Sequence, residues 1–543
     1  MGTGTCFRRS AVTGARRGRS FPRRLTCRFG CRIWPVRVCR GRPRRGSLGR
    51  GPSTPWGCLA PATSAPLERR TLSSRPSRPG RPVPRPGPAD RDAVVLGASM
   101  AGLLAATVLA ESYDNVVLVE RDRLVGDGEP RRGVPQGRHA HVLLPRGASA
   151  LDELMPGLLA ELTADGGSFA PLLSQLHFEL NGHVLSQEDT GDEKPVYQQS
   201  RPFLEAHVLR RVRALPNVTV LDGHDIQGIR AERSGQRIIG ATVVAREGSS
   251  APRDLSADLV VAATGRNGRV GAWLTDLGYD AAPEEELRVD IVYATRIMRL
   301  DRTLITPIEL CLVGPTPTRP CGIGAFAQEN DAWVVTLAGF PGHHPTTDQE
   351  EWLAFSDFVA PGKLAKAIRE GEALTDIERY RFKSNLRRRY DRLDRFPEGL
   401  IVVGDAVCSF NPIYGQGMTV AALEALALRD VLSHGTGGLA RRFFKAAARP
   451  VGAAWQFALG ADLAMPPDVV PGSRPLPMRV VNAYLDRYQA AAELDPVLTR
   501  HFLNVTGFDE PVRVLFAPNA VGKVVGQRRR RVREDAPLPL ISG

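Results

Sequence analysis

The stretch DAVVLGASMAGLLAATVLAE, residues 92–111, decides the fold. Its apolar run Ala93–Leu96 reads as a buried strand, Gly97 ends that strand, and an uncharged segment reaching to Glu111 reads as a helix. Gly97, Ser99 and Gly102 occupy the three glycine positions of the dinucleotide fingerprint. Those positions serve a tight turn, close approach to a pyrophosphate, and close packing of helix on strand. Ser99 departs from the pattern, but its hydroxymethyl group fits if the phosphate sits slightly farther away, and its oxygen can itself donate a hydrogen bond. A second strand, Asn115–Val119, delivers Glu120 at the place of a ribose-binding acid, roughly 20 residues on. Strand, turn, helix and terminal acid together predict a Rossmann-like βαβ unit.

A second segment, GLIVVGDAVCSFNPIYGQGM (399–418), lies far downstream. It is an apolar strand ending in Gly404-Asp405, followed by a short loop and a glycine-bracketed helix start. A carboxylate at a strand tip accepts hydrogen bonds from a polyol, and Gly415 and Gly417 let backbone amides approach an anionic ring. That combination favours a flavin.

The chain has 543 residues and a formal charge of +14, which suggests a nucleic-acid partner until the charge is divided. Residues 1–90 hold 21 arginines, no lysine and only Glu68 and Asp90 as acids, so this leader carries +19 and the remainder −5. A mildly acidic body with an Arg/Pro/Gly-rich appendage reads as an enzyme without a nucleic-acid partner. The leader is expected to be disordered, because it cannot bury enough apolar surface to offset its ordering entropy. An organelle transit peptide would share its arginine-rich, acid-poor composition but not its interrupted pattern. Twin-arginine export would need an apolar h-region after Arg8-Arg9 or Arg16-Arg17. Translation from a start placed too early accounts best for the segment, and the next methionine is Met100, inside the turn.

Five of eight cysteines fall in the leader; Cys311, Cys321 and Cys408 in the body imply no disulfide framework and a reducing, cytoplasmic compartment. No uncharged run outside the dinucleotide unit reaches the length of about 18 residues needed for a membrane span.

The fold class expected is α/β: a Rossmann-like FAD-binding domain, an inserted and mainly antiparallel substrate sheet, and a C-terminal helical region. Its parts are assigned to residues 91–175 (first FAD-binding part), 176–200 (substrate strands), 201–280 (second FAD-binding part), 281–385 (substrate sheet), 386–432 (third FAD-binding part) and 433–526 (helices), with a basic tail at 527–543. Within RRGVPQGRHAHVLLPRG (131–147), Arg138, His139 and His141 are candidates for the flavin pocket. The two histidines share a face of an extended segment, yet no carboxylate or cysteine nearby completes a metal ligand set. The loop leads into a helix expected around Ala148–Leu159. Ser200 is a plausible N-cap for a helix over 200–212. Arg201 in its first turn opposes the helix dipole, which suggests an external anion or carbonyl as its target.

With these pieces in hand, the body resembles the single-component FAD-dependent monooxygenases, and within them the squalene-epoxidase-like and polyether-epoxidase-like branch of secondary metabolism. GASMAG, VPQGRHAH, YATR (293–296) and GDAVCSFNPIYGQGM occur in the order found in that branch. The resemblance implies that Gly97, Ser99 and Gly102 cradle the FAD pyrophosphate and Glu120 binds the adenosine ribose. It implies further that Arg201 reaches the cofactor, that Gly404-Asp405 meets the ribityl chain, and that Pro412, Gly415, Gly417 and Met418 flank the isoalloxazine. Where relatives commonly read DATGRGSR, this chain reads Ala262-Ala263-Thr264-Gly265-Arg266-Asn267-Gly268-Arg269.

The implied reaction uses NAD(P)H as a transient electron donor. It transfers oxygen from a flavin C4a-hydroperoxide to a small apolar substrate, by epoxidation or hydroxylation, and no side chain is singled out as catalytic. A reductase of prenyl or polyene double bonds and a non-catalytic flavoprotein are the competing readings. A halogenase is disfavoured because Trp-x-Trp-x-Ile-Pro is missing.

Overall fold

The computed structural model describes residues 91–526, apart from Asp127, Arg132, Ser249 and Ser250. The leader and basic-tail readings therefore lie outside the described residues.

Asp92–Leu96 forms a central strand of a five-stranded parallel sheet. The order across it is Leu400–Val402, Leu259–Ala262, Asp92–Leu96, Asn115–Val119 and Val218–Leu221. Strands covered on both faces are expected to be continuously apolar. Leu259–Ala262 and Leu400–Val402 meet that expectation, being buried along their whole length. The helix Met100–Ala110, all small and aliphatic residues, packs on the sheet and against the helix Gly417–Ser433. Two segments separated by about three hundred positions thus build one core.

Antiparallel strands His224–Ala231, Ile238–Ala245 and Arg253–Ser256 form a separate small sheet. Only the middle strand stands out in the sequence. Its partners alternate weakly and are mostly half-exposed, so their apolar period is faint.

The large sheet is built on the 16-residue strand Glu284–Arg299, paired antiparallel with Glu378–Arg388 on one side and Trp333–Gly339 on the other. Cys321–Ala327 and Leu310–Val313 continue it, and Leu176–Leu180 adds in parallel at its far side. Helices Gln349–Val359 and Gly362–Glu370 cover one face through Trp352, Phe355 and Ile368. The other face lies toward the C-terminal helices Leu439–Asp462, Leu476–Ala492 and Pro496–Thr506. This is the expected α/β class with an added, mainly antiparallel sheet and terminal helices.

One expected element is corrected. The helix placed around Ala148–Leu159 is two, Pro145–Leu154 and Leu158–Ala164, because Gly157 adopts φ +82° after Pro156. Among the described residues, no helix is long and apolar enough to cross a membrane.

Candidate active site

The GASMAG turn is shaped by close contacts that a side chain would violate. Gly97 has φ +104°, and a Cβ there would lie 2.4 Å from the Ala263 carbonyl oxygen. A Cβ at Gly102 would lie 1.8 Å from the Gly97 oxygen. Ser99 occupies the N-cap position without capping. Its Oγ instead accepts from Arg201 Nη2 at 2.8 Å and donates to Glu205 Oε1 at 3.3 Å.

Arg201 follows the Ser200 N-cap, whose side chain accepts from the Phe203 amide as the sequence predicts. Its guanidinium is nearly buried and pairs with Glu205 at 3.1 Å. The anion that the sequence suggested for Arg201 is therefore, in the first place, an internal one.

Glu120 ends its strand with 6% exposure and is heavily bonded. Its carboxylate accepts from the amides of Ala98 (2.8 Å), Arg121 (2.9 Å) and Asp122 (3.1 Å) and lies 3.3 Å from Arg131 Nη1. Arg131 also donates to the Ala98 carbonyl at 2.8 Å and approaches Glu205 at 3.6 Å. Glu120, Arg131, Glu205 and Arg201 form an alternating ring of charge around the turn. Arg131 and Glu205 were not singled out from the sequence, because neither belongs to a spacing motif.

The second segment meets this ring. Gly404 has φ +64°, and a Cβ there would be 2.7 Å from the Ala101 Cβ, in the first turn of the helix Met100–Ala110. The Gly404 amide donates to Glu424 Oε2 at 2.8 Å. Asp405 lies deep but keeps part of its surface accessible, so it faces a recess rather than packed side chains. Burial raises its pKa, opposed by the nearby positive charges of Arg201 and Arg266. Arg266 is itself held by Ser384 Oγ at 2.6 Å and lies 5.4 Å over the Phe382 ring.

Past the loop Pro412–Tyr414, Gly415 turns with φ +64° and Gly417 begins a 17-residue helix with no acid in its first turn. A Cβ on Gly417 would meet nothing within 4 Å, so the positive end of this helix faces open space. Thr264 Oγ1 and Gln416 Oε1 are buried without partners among the described residues. Met418 is buried at 6% exposure. A ring of balanced charge, a recessed carboxylate, an open helix N-terminus and unpaired polar atoms suit an elongated ligand that is anionic in the middle and polar along its length.

A cavity of about 1240 Å³ adjoins the loop and is lined by Pro412, Tyr414 and Gly415 together with His139, His141 and side chains of the large sheet. His139 Nδ1 meets Thr295 Oγ1 at 2.7 Å, and its ring lies 5.4 Å from that of Tyr380. Burial pushes His139 down to about 4 and His141 down to about 3, so both are neutral near pH 7. Arg138 is placed differently. It is half-exposed, pairs with Glu378, and is not part of the cavity wall.

A profile of the FAD binding domain matches residues 90–443. The chain belongs to this family of single-component FAD-dependent monooxygenases.

Protein Rv3254 of Mycobacterium tuberculosis is 34% identical over 453 residues, covering 81% of this chain and 94% of its own length. The 6-methylpretetramide 4-monooxygenase of Streptomyces rimosus is 27% identical over 390 residues, covering 68% of this chain and 82% of its own. Crystalline p-nitrophenol 4-monooxygenase from Pseudomonas putida DLL-E4 shares the fold, with a TM-score of 0.57 at 18% identity, over 78% of this chain and 98% of that one. This flavoprotein is thus an FAD-dependent oxidoreductase, and NAD(P)H is the electron donor typical of its family.

Two buried acids of the monooxygenase escaped the sequence reading. Glu424 interrupts the apolar run Met418–Leu428, and Asp462 sits within FALGADLAM. A single acid inside an apolar helical run is the signal that would have found them.

Proposed function

We propose that this monooxygenase inserts one oxygen atom into an apolar small molecule, a secondary metabolite, by hydroxylation or epoxidation. The observation that carries this reading is the large, mostly apolar cavity that opens directly onto the loop Pro412–Gly415.

In this reading Gly97, Ser99 and Gly102 hold the FAD pyrophosphate, Glu120 the ribose, and Arg201 spans from Ser99 toward the phosphates. Asp405 takes the ribityl hydroxyls, with Gly404 allowing the chain to approach. Pro412, Gly415, Gly417 and Met418 flank the ring, and the free amides at the Gly417 helix start stabilise negative charge on it. When bound, the cofactor supplies the oxygen-activating chemistry. The protein's own contribution is to orient the substrate against the loop and to keep water away from the reacting centre. Neutral His139, fixed by Thr295 and the Tyr380 ring, suits a positioning role at that end of the cavity. The segments 91–175, 201–280 and 386–432 then form the cofactor domain, and 176–200 with 281–385 the substrate domain.

The test is turnover of polycyclic aromatic and polyene compounds by FAD-loaded protein with NAD(P)H under ¹⁸O₂. A product carrying a single ¹⁸O atom is expected. Anaerobic NAD(P)H consumption with two hydrogens added to a double bond would instead make the protein a reductase.

A further inference from the structure

Leu176–Leu180 and His183–Val184 form a hairpin whose tip turns through Asn181 and Gly182, at φ 51° and 80°. That tip is bonded to the helix Leu476–Ala492 and its cap residue Glu493. Asp486, Gln489 and Glu493 stand at i, i+3 and i+7, which sets them in one row along the helix. Asn181 Nδ2 donates to Gln489 Oε1 at 2.7 Å. His183 Nδ1 lies 2.6 Å from Glu493 Oε1, and its Nε2 lies 3.6 Å from Asp486 Oδ1. Just beyond the hairpin, the Ser186 amide donates to the Ala492 carbonyl at 3.0 Å.

The neighbours of His183 dictate its proton count. An ionised carboxylate only accepts, so each ring nitrogen needs a hydrogen to hold the acid in front of it, and a neutral imidazole has one N–H to share between two. The ring is 7% exposed, and the arrangement suits an imidazolium. Among the described residues, Asp486 and Glu493 are the charged groups that face it; Glu179, on the other strand of the hairpin, is taken by Arg319 at 2.7 Å. The Asp486 carboxylate raises the His183 pKa, burial opposes it, and Glu493 raises it further. The ion pairs are therefore complete below the ordinary histidine value of 6.5 and are lost as pH climbs through the raised one.

These groups also belong to the wall of the large cavity. Asn181, Asp486 and Gln489 line it, yet the Asp486 side chain is 59% exposed, so at this point one side chain reaches both cavity and solvent. Toward its N-terminus the same helix lines the cavity with Met478, Asn482 and Leu485, while Leu476 and Val480 are left exposed. A helix so lightly covered has little packing to hold it in place. We propose that the hairpin tip and the helix Leu476–Ala492 form a proton-controlled clasp on the cavity: protonated His183 holds the helix down, and loss of its proton frees the helix and widens the way in. The proton passes to water, and the neutral ring keeps one carboxylate while the other is released. The clasp governs access and not chemistry, so it stands whichever reaction the flavin performs.

The experiment uses the full-length, FAD-loaded protein. Hydrogen–deuterium exchange at pH 6.0 and 8.5, corrected for intrinsic rates, reads the protection of residues 482–492 relative to that of the core helix Met100–Ala110. In the wild type this relative protection is expected to fall about threefold or more between the two pH values. Uptake of Nile red, followed by its fluorescence, should quicken over the same interval. His183→Gln keeps a donor but no titratable proton, and should show the low protection and the fast uptake at both pH values. A merely structural histidine would change the level of protection in that variant and leave its pH dependence in place. Should His183→Gln fail to fold, Glu493→Gln, which removes one of the two carboxylates, is expected to shrink the pH dependence. Protection that does not fall in the wild type, Nile red uptake that is equal at both values or absent, or a pH dependence that survives in His183→Gln overturns the inference.

Discussion

The carboxylate of Glu424 accepts a hydrogen bond from the backbone amide of Gly404 at 2.8 Å, one residue before Asp405. Its second oxygen is buried with no partner. Burial raises Glu424 to about 8, with the neighbouring charge of Asp405 adding to the shift. A carboxyl group whose pKa is raised on folding favours the folded state most at low pH, where it is protonated in both states. That contribution is lost as pH climbs from the ordinary carboxylate range, about 4.5, through about 8. The apoprotein should therefore lose on the order of a few kcal/mol from this site across that window. Glu424→Gln should remove that slope and be the more stable form at pH 9. Thermal unfolding at pH 5, 7 and 9 measures it, and parallel curves for the two proteins would sink the assignment.

Asp405 and Glu120 should differ when each is replaced by alanine. Both variants are expected to purify without yellow cofactor. Asp405 makes no hydrogen bond among the described residues and its charge is disfavoured by burial, so Asp405→Ala should leave the apoprotein at least as stable at pH 7. Glu120→Ala strands the Ala98 amide and Arg131, and should cost about 1–3 kcal/mol. Flavin content and urea midpoints separate the outcomes; retention of stoichiometric cofactor by both variants refutes the assigned roles.

Two glycines make an opposed pair. Gly102→Ala forces its methyl group against the Gly97 carbonyl and should cost about 3 kcal/mol or prevent folding. Gly417→Ala meets no neighbour and should leave apoprotein stability unchanged or raise it by about 0.5–1 kcal/mol, while weakening FAD binding. Unimpaired FAD affinity in Gly417→Ala would show that the open space there is not the ring's.

Arg201 bonds Ser99 and Glu205 through one planar group. Lysine keeps the charge but loses that fork. Arg201→Lys should reduce FAD affinity about tenfold in a fluorescence titration, an effect of roughly 1.4 kcal/mol. Lysine matching arginine would leave Arg201 as mere charge.

The sequence made the strands of the parallel sheet legible because burial on both faces leaves continuous apolar runs such as Leu259–Ala262, and glycine marks each turn that allows no side chain. The α/β class, the FAD-binding family and the helix cap at Ser200 were legible for the same reason. Arg131, Glu205, Arg266, Glu424 and Asp462 were not. Each acts through a partner at least twenty positions away, apart from the Arg131–Glu120 and Arg201–Glu205 pairs, and no local period records such pairings. The strands His224–Ala231 and Arg253–Ser256 were missed because they are half-solvated. The break at Gly157 was missed because apolar residues on both sides continue one helical period across it.

The strand Leu400–Val402 completes the sheet beside Leu259–Ala262, and the helix Gly417–Ser433 closes over Met100–Ala110. A ribosome that has released only the first three hundred and ninety residues has thus made the nucleotide turn without its lid or Asp405. The turn must wait, its apolar helix face uncovered, until roughly the last quarter of the chain begins to arrive. Cofactor loading is consequently a late event in the life of the nascent protein. The interval before it is when a chaperone has most reason to bind.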